Sequence, residues 1–501
     1  MRILLAIATG VLLAISFPRF YFGWAATFAL IPLLFALEQP GNRSSLVSLK
    51  VAFRLGYLAG LVFFLLLLYW ITFLPQENLT IPYAMFPALL LMTLYLSLYP
   101  AVTALTSVWL ARRGAPLGLV FACLWTLFEA VRGSGMFGFP WGSLGYALAP
   151  YPHLIQFASY SGIWGVSLWL ALISGMVHFY LSLPWSSKKV GLLVAMMVVL
   201  TIPYAHSRVV LSARQPRAAV RVGLVQPNIG NNKWQKAVRD SVVTVLLEQT
   251  KQLADENINH PPDLILWPET AIPARLPREA FYRFRVEDVV TQTNVPLLAG
   301  FPDGEPLSEG GYRFTNSAGL FLPNQGMVNR YDKRHLVPFS EFFPLPVLNR
   351  LDFGQSNFSS GDKPGVIDNL SQPFGVLICF ESIFPGPARE LSREGVRYLV
   401  NLTNDQWFGD SAAPTQHFYM NVLRAIENRM GLARAANTGI SGVIDPYGIV
   451  RERSTTFIQA RMLVPVELGR ELTFYARYGD WILWVTGGLV FVFWGLGRRY
   501  L

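Results

Sequence analysis

Two kinds of hydrophobic pattern divide the chain. Over the first 205 residues, and again near the end, apolar residues run in blocks close to the roughly 20 that cross a bilayer. The blocks fall at about 3–18, 22–38, 51–74, 84–110, 115–132, 162–183, 189–205 and 480–497. Between them, over 206–478, apolar runs shorten to strand length. VRVGLVQPN (220–228), DLILWPET (263–270), NVPLLAGF (294–301), FGVLICF (374–380) and VRYLVNLTND (396–405) read as strands. Residues 236–257 and 414–435 read as helices, and 313–333 and 438–450 as hairpins turning at Pro323–Gly326 and Asp445–Gly448. Continuous apolar strands alternating with helices predict α/β sheets covered on both faces. The expected organisation is a seven-helix transmembrane domain over 1–205, an α/β domain over 206–478 and an eighth transmembrane helix in 479–501. The first block has the basic start of a signal peptide. Pro18, Arg19 and bulky aromatics follow it instead of a small-residue cleavage site, so it reads as a retained span.

Composition strengthens the membrane reading. The chain is 52% hydrophobic and 14% charged, against about 25% charged in ordinary soluble domains. Its net charge of +10 does not imply a nucleic-acid partner, because the basic residues sort by loop. Arg43, Lys50 and Arg54, then Arg112 and Arg113, Lys188 and Lys189, and Arg498 and Arg499 all fall on one side of an eight-span arrangement. The opposite short loop, Gln76–Thr80, has no basic residue. The positive-inside rule puts the basic loops and both termini in the cytoplasm and the 206–478 domain outside it, with Arg132 as the exception. Glu129 and Arg132, near the end of the fifth block, are either functional or a pair that snorkels to water, and no role is assigned to them. The Gly-, Pro- and aromatic-rich loop 133–152 suits headgroup depth.

The polar residues that end apolar runs carry the chemistry. Glu269 follows ILWP, Lys333 sits in YDKRHLVPFSE, and Cys379 ends VLIC. In α/β sheets, reactive groups gather beyond the carboxyl ends of strands. An acid can accept the proton of a thiol, and an ammonium can favour the thiolate and stabilise an oxyanion. Acid, amine and thiol make an acyl-transfer set that needs neither His335 nor His417. The other cysteine, Cys123, lies in a very apolar run and reads as a small buried hydrophobe. Two cysteines make no disulfide framework. No His/Cys spacing suits zinc and there is no Walker or Rossmann glycine loop, so neither metal nor cofactor is expected.

ILWPET, YDKRHLVPFSE and GVLICFES, in that order, resemble the carbon–nitrogen hydrolase (nitrilase) superfamily. Fused to membrane spans, and with NLTNDQWFG (401–409), NRMGLARAANTGISG (428–442) and TFYARYGD (473–480) added, the whole chain is similar to its lipoprotein N-acyltransferase branch. The resemblance implies a nitrilase-like αββα sandwich with a Glu-Lys-Cys triad in the bacterial inner membrane. It implies a phosphatidylethanolamine-like phospholipid as acyl donor and a diacylated apolipoprotein as acceptor, at its N-terminal S-diacylglyceryl cysteine. By motif, Glu269 would be the general base, Lys333 the oxyanion-stabilising lysine and Cys379 the nucleophile. Glu341 and Glu381 would be supporting acids, and Phe380, where some members carry tyrosine, contributes only its backbone N–H. Trp234 matches a tryptophan associated with lipid handling, while Trp407 either lines the pocket or packs. The apolar segment 342–358 is a candidate gate for acyl chains, with core packing as the alternative.

Two other readings stay open at this level. A membrane-anchored amidase or nitrilase would use the same three residues but give the acyl group to water. A transporter or receptor with an external binding domain would leave Glu269, Lys333 and Cys379 without a joint purpose.

Overall fold

The fold follows from strands buried on both faces, with alternate side chains entering two different cores. Residues described by the computed structural model are 1–39, 42–73, 83–308, 310–343 and 357–497. They form two compact units, one built from the residues up to Arg214 together with those from Tyr478 onward, the other from Gln215–Arg477.

The Gln215–Arg477 unit holds two six-stranded sheets. In the first, Ala219–Gln226, Leu264–Leu266 and Leu297–Pro306 pair in parallel. Antiparallel strands flank them, Ala460–Glu467 on one side and Tyr312–Leu322 then Gly326–Asp332 on the other. In the second, Phe374–Ile378, Tyr398–Thr403 and Leu432–Ala436 are parallel, flanked by antiparallel Val366–Ile367, Gly442–Ile444 and Val450–Arg453.

Alternate side chains separate the two faces. Val222, Leu224, Leu264, Leu266 and Leu298 meet Val376, Ile378, Val400, Leu402 and Ala433 in the core between the sheets. The residues between them, including Val225, Ile265, Trp267 and Leu297, pack with Val243, Leu246, Val286 and Val290. Those last four lie on helices Lys236–Glu256 and Ala280–Thr293. The indole N–H of buried Trp267 donates to Thr250 at 2.8 Å, so this core leaves that donor satisfied. Helices Pro385–Arg393 and Ala413–Asn428 lie on the second sheet. The layers are therefore α, β, β, α.

Several expected boundaries move. The helix read over 414–435 ends at Asn428; Arg429 turns left-handed (φ +52) and Leu432–Ala436 becomes a parallel strand. The strand read to 380 stops at Ile378, and Cys379 itself is left-handed (φ +50). The strand read over 263–270 is only Leu264–Leu266. Both expected hairpins are present, across Tyr312–Leu322/Gly326–Asp332 and Gly442–Ile444/Val450–Arg453.

The other unit is helical. Among the described residues, four helices are long and apolar enough to cross a membrane: Leu49–Phe73, Met85–Ala111, Ala158–Ser182 and Ser187–Ser212. The remaining apolar blocks coincide with shorter elements, Arg2–Ile15, Gly23–Ala36, Leu117–Arg132 and Trp481–Leu496. Helices approach closely where side chains vanish. A Cβ on Gly118 would stand 2.8 Å from Gly175 Cα, and one on Gly175 would stand 2.6 Å from the Gly118 carbonyl oxygen. Cys123 is buried in Leu117–Arg132.

Glu129 and Arg132 do not snorkel. They are 5% and 2% exposed and stitch down the loop after their helix. Glu129 accepts from Trp125 Nε1 at 2.9 Å and Leu144 N–H at 2.8 Å. Arg132 donates to the carbonyls of Phe139 and Trp141 at 2.7 and 2.6 Å and to Ser143 Oγ at 3.1 Å. The candidate gate falls largely on 344–356, outside the described residues, as do Gln76–Thr80, Arg498 and Arg499.

Leu266 is fully buried between the sheets. Leu266→Ala is expected to cost about 2–5 kcal/mol, lost methyl burial plus residual cavity, read as a lower denaturant midpoint for the full chain in detergent.

Candidate active site

The carboxyl ends of both sets of strands meet in one place. Lys333 directly follows Gly326–Asp332, Cys379 directly follows Phe374–Ile378, and Glu269 lies three residues beyond Leu264–Leu266. Asn404, just past Tyr398–Thr403 in the second sheet, donates its N–H to Glu269 Oε2 at 2.9 Å. That bond ties the two sheets at the site.

Lys333 is 1% exposed and lies between two carboxylates. Its Nζ is 3.3 Å from Glu269 Oε1 and 2.9 Å from both oxygens of Glu341. Asn316 donates to the same acids, at 2.7 Å to Glu269 and 3.0 Å to Glu341. Glu341 also accepts the N–H of Val337 at 2.8 Å, which turns its loop back over the lysine. Burial works to lower the Lys333 pKa, but Glu341 first and Glu269 next outweigh it and hold the ammonium well above its usual range.

Cys379 is half-buried at its left-handed turn. Burial pushes its thiol up, the Glu269 carboxylate adds to this, and Lys333 pulls the other way without winning. Ionised, the sulfur would be a third anion beside one ammonium. The group at rest is therefore a thiol, and an acceptor must take its proton when it reacts.

Glu381 sits beneath the site, fully buried. Its Oε1 accepts from Tyr331 OH at 2.7 Å and from the N–H groups of Arg334 and His335 at 2.8 and 3.1 Å. Its Oε2 accepts from Ile378 N–H at 2.7 Å. It thus joins the segment carrying Lys333 to the residue before Cys379. Phe380 is buried edge-on against Phe384. Trp234 is 46% exposed, and Trp407 is half-buried in the short turn Asp405–Phe408.

A second layer was not anticipated from spacing. Asp405 accepts from Arg434 Nη2 at 2.7 Å and from Thr403 Oγ1 at 2.9 Å, and stands 2.9 Å from His417 Nδ1. Arg434 also donates to Asn401, whose amide donates to the Leu377 carbonyl at 3.1 Å. His417 Nε2 faces the Cys379 carbonyl at 3.2 Å. Burial would raise the Asp405 carboxyl, but Arg434 foremost and then His417 hold it well below the usual range. Cys379, Asp405 and His417 offer ligand atoms within 4.8 Å of one another. Asp405 is already committed to the guanidinium and the imidazole, so this donor set is occupied by protein and unsuited to a cation. Asp405 ends an apolar strand just as Glu269 and Cys379 do, a signal that could have found it; Asn316, mid-strand, gave none.

Together these groups offer a nucleophile, a proton acceptor and a fixed positive charge, the elements of acyl transfer through a thiol. The class is set by comparison with known proteins: residues 221–461 match the carbon-nitrogen hydrolase model, and residues 9–176 match the apolipoprotein N-acyltransferase N-terminal domain. An amidase of the nitrilase superfamily from Nesterenkonia sp. AN1 aligns over 54% of this chain and 97% of its own, with 18% identity and a TM-score of 0.40. Apolipoprotein N-acyltransferase of Geobacter metallireducens is 37% identical, covering 97% of this chain and 94% of that relative. That of Chlorobaculum tepidum is 32% identical over the same shares. The chain belongs to the apolipoprotein N-acyltransferase family.

Lys333→Met leaves two buried carboxylates facing each other without a cation and is expected to cost about 3–5 kcal/mol in a denaturant titration. Because the folded-state pKa of Lys333 is raised, its contribution is complete below the unfolded value of about 10.4 and is lost only as pH climbs through the higher folded value. The difference between wild type and Lys333→Met should therefore be flat between pH 6 and 9 in this term. For Cys379, iodoacetamide alkylation of the full chain should keep accelerating with pH above the ordinary thiol value of about 8.5, with no plateau near neutrality.

Proposed function

We propose that the protein transfers a fatty acyl chain from a phospholipid to the α-amino group of the N-terminal S-diacylglyceryl cysteine of apolipoproteins. The observation that carries this reading is the Lys333 ammonium held between Glu269 and Glu341 beside Cys379, in a chain whose other unit is apolar helices. Relatives named apolipoprotein N-acyltransferase support the acceptor class. The proposed topology is eight spans with basic loops and both termini cytoplasmic and the 206–478 domain on the periplasmic side of the inner membrane.

The reaction proceeds in two halves. Cys379 Sγ attacks the ester carbonyl as Glu269 takes the thiol proton. The C–S bond forms, the ester C–O bond breaks, and the proton passes to the leaving oxygen to give a lysophospholipid. Lys333 and the backbone N–H of Phe380 stabilise the oxyanion. The lipoprotein amine then attacks the thioester and loses a proton to Glu269. The C–N bond forms, the C–S bond breaks, and the sulfur is reprotonated. Glu341 holds Lys333, Trp234 meets the lipid substrate, and no cofactor takes part. One thiol serving both halves gives ping-pong kinetics. The carbon-nitrogen hydrolase match favours a second reading, in which water accepts the acyl group.

Incubation with phosphatidylethanolamine micelles and peptide mapping should find an acyl thioester on Cys379 in wild type and none in Cys379→Ala. Adding a diacylated lipopeptide should yield N-acylated product with parallel double-reciprocal lines. Glu269→Gln should slow acylation by about 10²–10⁴-fold. Free fatty acid as the only product would establish hydrolysis instead, and absence of a Cys379 adduct would remove the mechanism.

A further inference from the structure

Folding alone does not account for Lys233. It lies in the short turn Asn231–Trp234, is 1% exposed, faces the Trp234 ring at 5.3 Å, and bonds to two neutral acceptors, the Thr270 carbonyl at 2.7 Å and hydroxyl at 3.0 Å. Burying a cation against neutral partners is costly. Burial pulls its pKa down to about 8 against the opposing pull of Glu269. A methionine would fill the same space without that cost.

Its partner is strained. Thr270, directly after Glu269, has φ +44, a conformation that β-branched residues rarely adopt. Strand Leu297–Pro306 presses on the same peptide: a Cβ on Gly300 would stand 2.2 Å from the Pro268 carbonyl oxygen and 2.8 Å from Glu269 Cα. The segment leading to Lys233 is anchored in turn. Ile229 N–H donates to Asn437 Oδ1 at 2.9 Å, and Asn437 Nδ2 donates to Ile229 O at 2.8 Å and to Asn404 Oδ1 at 3.0 Å. Asn404 is the residue whose N–H holds Glu269 Oε2. The ring of contacts runs from Lys233 through Thr270, Glu269, Asn404 and Asn437 back to the Lys233 turn.

We infer that Lys233 is a positioning residue: it clamps the Thr270 peptide in its left-handed conformation and so fixes the Glu269 carboxylate between Lys333 and Asn404. The inference deepens the role proposed above for Glu269 and rests on it. Lys233 never touches the reacting atoms.

The test uses the full chain in detergent, with iodoacetamide alkylation of Cys379 followed against pH and Cys379→Ala correcting for Cys123. Lys233→Met should displace the rising rate–pH profile, changing the alkylation rate at pH 9 by about threefold or more, since a moved carboxylate changes the field at the sulfur. Adding Thr270→Gly to Lys233→Met should return it, because glycine takes φ +44 without a clamp. A Lys233→Met profile that overlays wild type overturns the inference. So does a displacement that persists in the double variant, which would mean that the charge acts directly on the sulfur. Should Lys233→Met fail to fold, Thr270→Val removes only the hydroxyl acceptor and is read the same way: a changed alkylation rate at pH 9 supports the clamp, an unchanged one overturns it. The probe needs neither lipid nor lipopeptide, so its outcome is separable from that of the acyl-transfer assay. With the enzyme supplied with lipid, Lys233→Met should lower kcat by up to about 10²-fold at nearly constant KM.

Discussion

A single buried ammonium holds the catalytic end of the sandwich together. Glu269 and Glu341 converge on Lys333 from separate segments, and without it they would repel in a medium that screens poorly. Asn316 shares the task by donating to both acids, yet an amide carries no charge to offset theirs. The cluster cannot assemble before the fold does. Glu269 and Lys333 belong to one sheet, while Asn404, which fixes the far oxygen of Glu269, belongs to the other. Docking of the two sheets through Leu266, Val400 and their neighbours therefore also adds the bond that fixes the far oxygen of Glu269.

The same cluster decides the state of the sulfur. Two carboxylates and one ammonium sum to a net negative charge, so a thiolate at rest would be a third anion. Cysteine enzymes that pair thiolate with imidazolium solve activation by ionising in advance. Here the surroundings hold the proton on the sulfur, so in the proposed reaction it would leave as the C–S bond forms, with Glu269 as acceptor.

Much of this was legible in the chain because strand ends advertise themselves. Glu269 and Cys379 each end an apolar run, Lys333 occupies the same kind of position, and three such residues of complementary chemistry point to one site. Asp405 carries the same strand-end signal, but its guanidinium partner and the partner of Glu269 in the other sheet were not legible, since those bonds span large separations: Asn404 is 135 residues from Glu269, and Arg434 is 29 from Asp405. No local pattern encodes such pairs. The overrun helix has a clearer cause. LARAA is rich in strong helix formers, and propensity favoured continuation through 435. In the fold that segment is fully buried between Tyr398–Thr403 and Gly442–Ile444, where ladder bonds on both sides outweigh propensity. For Glu129 and Arg132 the chain left two readings open, and the loop that follows decides against the one that reaches water by folding back and supplying protein partners.

Glu381 shows why the acid two residues after Cys379 is not free to take up a proton. Four donors, from Tyr331, Arg334, His335 and Ile378, already converge on its two oxygens. An ionised carboxylate offers acceptors only, so it can take all four, whereas a glutamine would turn a donor toward one of them. The bonds join the backbone on either side of Lys333 to the backbone entering the left-handed turn of Cys379. The spacing between ammonium and sulfur is thus set through main chain and not through flexible side chains. Lys333 is one cation shared by acids, and Glu381 is one acid shared by donors. Both are buried, and both are tolerable for the same reason: each charge is met on every side, and a partly met charge in that position would oppose the fold.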